Sequence, residues 1–180
     1  MLRVSGGTVR GRKLKGPKGL AFRPTTGRVK EFIFSVLGSD VKKAEVLDLF
    51  SGSGSLGIEA LSRGAVHVTF VEQSAFNVHI IKQNLEKCGL HDRAIVLRGD
   101  VFKTLRYLES GHFKLILADP PFKMSFRSRI VESVATYELM KENGQLVIEH
   151  QDNDFDSENP ALICIRQKKF GHCVVSIYEK

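Results

Sequence analysis

Between Val46 and Glu149 the chain repeats one pattern, a short and nearly continuous apolar run followed by residues at helical spacing. Val46, Leu47, Leu49 and Phe50 make the first such run, the signature of a strand buried on both faces of a parallel sheet. Helical positions follow over residues 56–62, then a strand over 66–71, a helix over 75–88 stopped by Gly89, and a strand over 94–97. A short helical stretch over 102–108 leads to a strand over 113–118. A helix over 128–140 and a strand over 145–149, entered through Asn143-Gly144, complete the series. Repeated β-α units predict an α/β fold with a doubly wound, mostly parallel sheet. After the acidic loop 152–158 the period changes: residues 161–167 and 173–178 face each other across 168–171 with no helix between them. They read as a closing antiparallel hairpin.

The first 40 residues follow a different rule. Residues 2–15 read as two short strands around Gly6-Gly7 or Val9-Arg10-Gly11, with Leu2, Val4, Val9 and Leu14 as their few apolar anchors. Pro24 then keeps Arg23 extended, and Thr25 or Thr26 can cap a helix that runs to about Leu37. Its apolar stripe is Val29, Phe32, Ile33, Val36 and Leu37, and Gly38 stands at the C-cap position. This segment is too poor in apolar residues to fold alone, so the expected organisation is an extension, 1–40, on a single main domain, 41–180.

Composition narrows the class. A hydrophobic content of 42% in 180 residues supports a packed core. No apolar run approaches a bilayer span, and the start lacks the apolar core of a signal peptide. Cys88, Cys164 and Cys173 have neither metal-ligand spacing nor a disulfide framework, and the six histidines are scattered, so no metal is expected. The thiols read as small buried side chains in a cytoplasmic protein. The net charge of +7 is uneven: residues 1–30 hold nine lysines and arginines and no acid, whereas the other 150 residues carry −2. Such asymmetry is the electrostatic footprint of a polyanion contact.

The chemistry centres on Gly52-Ser53-Gly54-Ser55-Leu56-Gly57, a glycine-rich turn between strand and helix. The spacing fits a dinucleotide turn, with Glu72 twenty residues after the first glycine. Asp48 tips the balance, because a carboxylate four residues before the turn repels a pyrophosphate. It suits the sulfonium and ammonium of S-adenosylmethionine. Acids stand at four strand ends: Asp48 in the first strand, Glu72 ending the second, Asp100 just after the third and Asp119 ending the fourth. Glu72 is placed to accept from ribose hydroxyls and Asp100 from an adenine amino group. In Asp119-Pro120-Pro121-Phe122 the two prolines remove amide donors and stiffen the backbone, leaving fixed acceptors beside an aromatic ring. That combination suits an aromatic amine.

Residues 48–57 and 119–122 resemble motifs I and IV of class I S-adenosylmethionine-dependent N-methyltransferases, which have a Rossmann-like sheet. With Gly11-Arg12-Lys13-Leu14, Arg23-Pro24-Thr25-Thr26, Arg28-Val29-Lys30 and the stretch 56–65, the chain is similar over nearly its whole length to the RsmD family. That resemblance implies methylation of the exocyclic N2 of a guanosine in 16S ribosomal RNA, within a small-subunit particle, with S-adenosylmethionine as cofactor. It implies that Asp48, Ser51, Gly52, Gly54 and Thr25 shape the cofactor site, that Glu72 holds the ribose and that Asp100 contacts adenine. Asp119 and Pro120 would hold the amine and Phe122 would stack on the base. Arg10, Arg12, Lys13, Lys15, Arg23 and Arg28 would meet RNA. Phe122 stands where tyrosine is common, and Ser51 replaces a frequent alanine.

Three other readings compete. An adenine-N6 DNA methyltransferase usually has Asn at the position of Asp119 and a larger recognition region. A protein-glutamine methyltransferase leaves the basic start unexplained, and a non-catalytic RNA-binding assembly factor leaves the two intact motifs unexplained.

Overall fold

Side chains of the first strand alternate between two apolar cores, and this alternation organises the molecule. In the computed structural model, which describes residues 2–16, 27–121, 126–152 and 159–180, strand β1 (Glu45–Leu49) sends Val46 to one core and Leu47 and Leu49 to the other. The first core also takes Val68 and Phe70 of β2 (His67–Glu72) and Leu115 and Leu117 of β4 (Phe113–Ala118). Helices α1 (Gly27–Leu37), α2 (Ser55–Ser62) and α3 (Ala75–Cys88) cover that face through Ile33, Phe34, Ile58, Leu61, Ile81 and Leu85. On the opposite face, Val71, Ile116 and Ala118 meet α4 (Val101–Thr104) and α5 (Arg127–Thr136) through Phe102, Ile130, Val131 and Val134. Each such side chain taken from water contributes about 1.5–3 kcal/mol, which is why strands buried on both faces dominate the fold.

With β3 (Ala94–Arg98), β5 (Met140–Gln151), β6 (Ile163–Phe170) and β7 (Cys173–Glu179), the strands form one seven-stranded sheet in the order β3-β2-β1-β4-β5-β7-β6. The first five are parallel; β7 runs antiparallel between β5 and β6. The expected doubly wound sheet with a closing antiparallel hairpin is therefore present. No helix among the described residues is long and apolar enough to cross a membrane.

Several expected boundaries move. Helix α5 ends at Thr136, not Met140, because Glu138 takes a left-handed conformation (φ 48°) and Met140 pairs with Phe113 as the start of β5. A bulge then carries residues 141–144 out of register before Leu115 meets Gln145. The 102–108 stretch is α4 plus a 3₁₀ turn, Leu105–Tyr107. Phe50 lies beyond the end of β1 rather than inside it. Strand β6 extends to Phe170, and as the edge strand it leaves Cys164 half-exposed. Cys173 at the start of β7 is likewise half-buried, so of the three thiols only Cys88 is buried as expected.

In the N-terminal segment, residues 2–16 double back as expected but form one isolated bridge, Arg3 with Lys13, rather than two strands. Val4 and Leu14 are buried in the same core as α1. In α1, Val29, Ile33 and Leu37 are buried as the stripe predicts; Phe34 joins them, while Phe32 and Val36 are half-buried. Gly38 has φ 49°, as the cap requires, and the chain continues in a 3₁₀ turn, Gly38–Val41. The proposed helix caps Thr25 and Thr26 lie outside the described residues.

Candidate active site

The strand order reverses between β1 and β4, and at that switch point an open parallel sheet leaves a crevice at the carboxyl ends of its strands. The glycine turn closes the β1 side. Gly54 has φ 76° at the N-terminus of α2, a conformation a side chain resists, and a Cβ on Gly57 would lie 2.3 Å from the Phe70 ring. The first glycine's amide donates to Glu72 Oε2 at 2.8 Å, and Glu72 Oε1 accepts from Ser74 N at 2.8 Å. Ser51 Oγ donates to the Asp48 carbonyl at 2.6 Å and sits 3.2 Å from that of Val71, so it latches the turn to two strands.

Asp48 lies underneath, 1% exposed, with Oδ2 accepting from Gly57 N at 2.9 Å. Burial pushes its carboxyl up to about 7; the Gly57 amide opposes the rise and the Glu72 carboxylate adds to it. A second negative charge is thus unfavourable here, and a cation is favourable. The Gly52 amide, which a phosphate-binding turn directs at its anion, is already held by Glu72. These residues fit the sulfonium and ammonium of S-adenosylmethionine better than a pyrophosphate.

The raised Asp48 value has a consequence for stability. Between about pH 4 and 7 the unfolded chain has lost this proton and the folded chain retains it, so stability falls as pH rises through that window and levels above it. Asp48→Asn, which keeps an acceptor for Gly57, should melt close to wild type near pH 4 and increasingly above it towards about pH 7. A melting-temperature gap that is the same at about pH 5 and pH 8 would contradict this account.

On the β4 side, Asp119 follows Ala118, which pairs with Leu49, and its amide donates to the Leu49 carbonyl at 3.4 Å. This brings Asp119 to the edge of the glycine turn. Pro120 is buried and offers a carbonyl but no amide N–H. Asp100 stands apart at the end of β3, half-buried, capping α4 through Lys103 N at 3.0 Å. Arg10, Arg12, Lys13, Lys15 and Arg28 are all exposed. Three expected site residues, Arg23, Thr25 and Phe122, lie outside the described residues. Among the described residues no group of three or more His, Cys, Asp or Glu could hold a metal ion.

The family model described as conserved hypothetical protein 95 matches residues 2–179. The chain belongs to this family, the RsmD family. Ribosomal RNA small subunit methyltransferase D of Escherichia coli K12 is 38% identical to it over 189 residues, covering 99% of this chain and 90% of the relative. The Haemophilus influenzae protein of the same name is 33% identical over 182 residues, covering 99% and 93%. The solved structure of Escherichia coli yhhF superposes with a TM-score of 0.86 at 28% identity, covering 99% of this chain and 97% of that one. An RNA methyltransferase of Salinibacter ruber, solved with S-adenosyl-L-homocysteine, shares the fold at a TM-score of 0.66 and 16% identity, covering 87% and 93%.

In this RsmD-family site, three features escape a reading of the sequence. Phe50 has φ 55°, a strained conformation for a bulky residue. Its ring stacks on Phe126 at 5.7 Å and meets Phe102 edge-on at 5.9 Å, joining the turn to both flanking segments. Glu59, 0% exposed, anchors the N-terminal segment. Asn84, also fully buried, bonds to both that segment and the glycine turn. An apolar residue at φ above zero has no sequence signal, and polar residues inside helices read as solvent-facing.

Proposed function

We propose that this protein methylates the exocyclic N2 amine of a guanosine in 16S ribosomal RNA, within a small-subunit particle, using S-adenosylmethionine. The observation that carries the reading is the approach of Asp119-Pro120 to the glycine turn at the switch point, joined through the Leu49 carbonyl. The names of the Escherichia coli and Haemophilus influenzae relatives support ribosomal RNA as the substrate class.

Bound at the turn, S-adenosylmethionine would supply an electrophilic methyl group, its C–S bond breaking as the N–C bond forms and S-adenosylhomocysteine leaving. Glu72, with lone pairs beyond its two amide contacts, holds the ribose hydroxyls, and Asp100 receives the adenine amine. The guanine leaves its stack to reach the crevice. Its N2 is a weak nucleophile because the lone pair is delocalised into the ring. The Asp119 carboxylate and the Pro120 carbonyl accept the two N2–H groups, turn the lone pair out of conjugation and fix the line of attack. Asp119 or water takes the proton released as the N–C bond forms. Phe122 supplies the stacking face.

The decisive experiment supplies methyl-tritiated S-adenosylmethionine with unmethylated small-subunit particles, naked 16S rRNA, DNA and protein. Label in N2-methylguanosine from rRNA is expected. Label in adenine, in DNA or in protein, or none in any fraction, would overturn the reading.

The 1–40 extension carries the RNA contact in this reading, and 41–180 the transfer site. Replacing Arg10, Arg12, Lys13 and Lys15 together by Gln removes exposed charge and one exposed hydrogen bond, from Lys15 Nζ to Gln83 Oε1, so stability should change by no more than about 0.5 kcal/mol per site. S-adenosylmethionine binding should be retained, with rRNA binding much weaker. If all four meet phosphates, the slope of log affinity against log salt should flatten by about 3. Parallel salt plots with equal affinities would show that the hairpin does not touch RNA. Arg127 offers no substitute surface, being buried with Nε donating to Tyr178 Oη at 2.6 Å.

A further inference from the structure

The basic hairpin is docked on the two helices that flank the glycine turn. Helix α2 takes its first half: Thr8 N donates to the Ser62 carbonyl at 2.8 Å, Val9 N donates to Ser62 Oγ at 3.1 Å, and Ser62 Oγ donates to the Gly6 carbonyl at 2.6 Å. Helix α3 takes the second half: Lys87 Nζ donates to the Lys13 carbonyl at 2.7 Å, and Lys15 Nζ donates to Gln83 Oε1 at 3.0 Å. Between these two contacts lies Asn84, 0% exposed. Its Oδ1 accepts from Lys15 N at 2.8 Å, and its Nδ2 donates to the Lys15 carbonyl and to the Ser53 carbonyl, both at 2.9 Å.

One carboxamide therefore joins residue 15, next to exposed cations, to the central residue of the glycine turn. Its orientation is fixed by its partners. The Lys15 amide requires an acceptor and the two carbonyls require donors, so a flipped amide would satisfy none of the three. Backbone bonds join the two arms of the hairpin, from Val4 N to the Arg12 carbonyl at 3.0 Å, Gly11 N to the Val4 carbonyl at 2.8 Å and Leu14 N to the Leu2 carbonyl at 3.0 Å. Lys15 lies beyond the last of these and is held by its contacts to α3, so this end of the hairpin belongs to the part of the fold that opens locally at low cost. When the hairpin frays, Asn84 loses two of its three partners and the bond to Ser53 loses its fixed geometry. A polyanion that orders Lys13 and Lys15 restores both partners. It thereby steadies the turn in which Gly54 must hold its left-handed conformation.

We propose that Asn84 is a positioning residue through which RNA on the basic hairpin and the methyl donor at the glycine turn strengthen each other's binding. The inference rests on the RNA and donor assignments made above. The coupling is an ordering effect, and by linkage it is reciprocal. A purely structural role for Asn84 would change stability, or each affinity alone, but would leave no mutual effect to lose.

Calorimetric titration of S-adenosylhomocysteine into the full-length protein, alone and with a saturating 16S rRNA fragment, measures the ratio of the two dissociation constants. The ratio is expected at about 5–150 for wild type and near 1 for Asn84→Ala. Asn84→Asp keeps the acceptor for Lys15 N and loses both donors, and should also fall to near 1. A wild-type ratio of 1, or an unchanged ratio in folded Asn84 variants, would overturn the coupling while leaving the methyltransferase reading intact. Failure of the wild type to bind S-adenosylhomocysteine at all would overturn both. A readout that needs no substitution is amide exchange in wild type: adding the rRNA fragment without donor should slow exchange across residues 52–58. Unchanged exchange there overturns the proposal even if the Asn84 variants do not fold.

Discussion

Asp119→Ala is expected to lower methyl transfer by at least about 10²-fold while S-adenosylhomocysteine affinity stays within about tenfold. The split follows from position. Asp119 sits at the end of β4, across the switch point from the turn, and its amide is tied to β1 through the Leu49 carbonyl. In the reading proposed above, the donor is held on the other side, by Glu72 and the glycines. Removing the carboxylate leaves the donor's contacts in place and takes away an acceptor that tightens as N2 gains positive charge. The loss should appear in kcat more than in KM. Asp119→Asn retains one acceptor oxygen without the charge and should fall between wild type and Ala. Turnover like that of wild type in Asp119→Ala would remove Asp119 from the mechanism, and a parallel collapse of donor affinity would make it a scaffold residue.

The order of elements was legible because strands buried on both faces leave continuous apolar runs. Helix α3 was legible to the residue, since its helical spacing stops at Gly89, which takes the left-handed conformation at its end; the Ser74 cap at its start is added by the structure. The acids at strand ends were legible for the same reason: a run that stops at Glu72 or Asp119 places the acid at the mouth of the sheet. What escaped was set by contacts distant in sequence. The Met140 boundary depends on pairing with Phe113, and the path of the N-terminal hairpin depends on its docking against α2 and α3. Asn84 bonds across 69 and 31 positions, and Glu59 across more than 50. Asp48 was read as a partner for a cation, and its carboxylate also receives the Gly57 amide beneath the turn. That amide reaches the carboxylate because the turn and the first residues of α2 fold over it.

Glu59→Gln should destabilise the protein by about 3–5 kcal/mol, lowering its melting temperature by about 6–20 °C. Glu59 is fully buried on α2, and its carboxylate gathers donors from three parts of the chain. Ser5 N and Gly6 N reach it at 2.8 and 2.7 Å, the Lys30 ammonium of α1 at 3.0 Å and Arg63 Nε at 2.8 Å. Lys30 is itself only 2% exposed, so the pair has no water to fall back on. The amide of Gln retains one acceptor oxygen and puts donors where Ser5, Gly6 or Lys30 also donate, leaving the ammonium buried against the Arg3 carbonyl and Ser55 Oγ alone. Burial by itself would push the Glu59 carboxyl up, but Lys30, the Ser5 amide and Arg63 outweigh it and hold it below its ordinary 4.5. Its contribution is therefore complete above that value and is lost as pH falls through the lower, folded one. The gap between wild type and Glu59→Gln should be widest at neutral pH and close on acidification below about pH 4. Thermal melts of both proteins across that range measure it. A gap below about 1 kcal/mol at neutral pH would mean that the N-terminal segment is held by Asn84 and Ser62 without need of the ionic clasp.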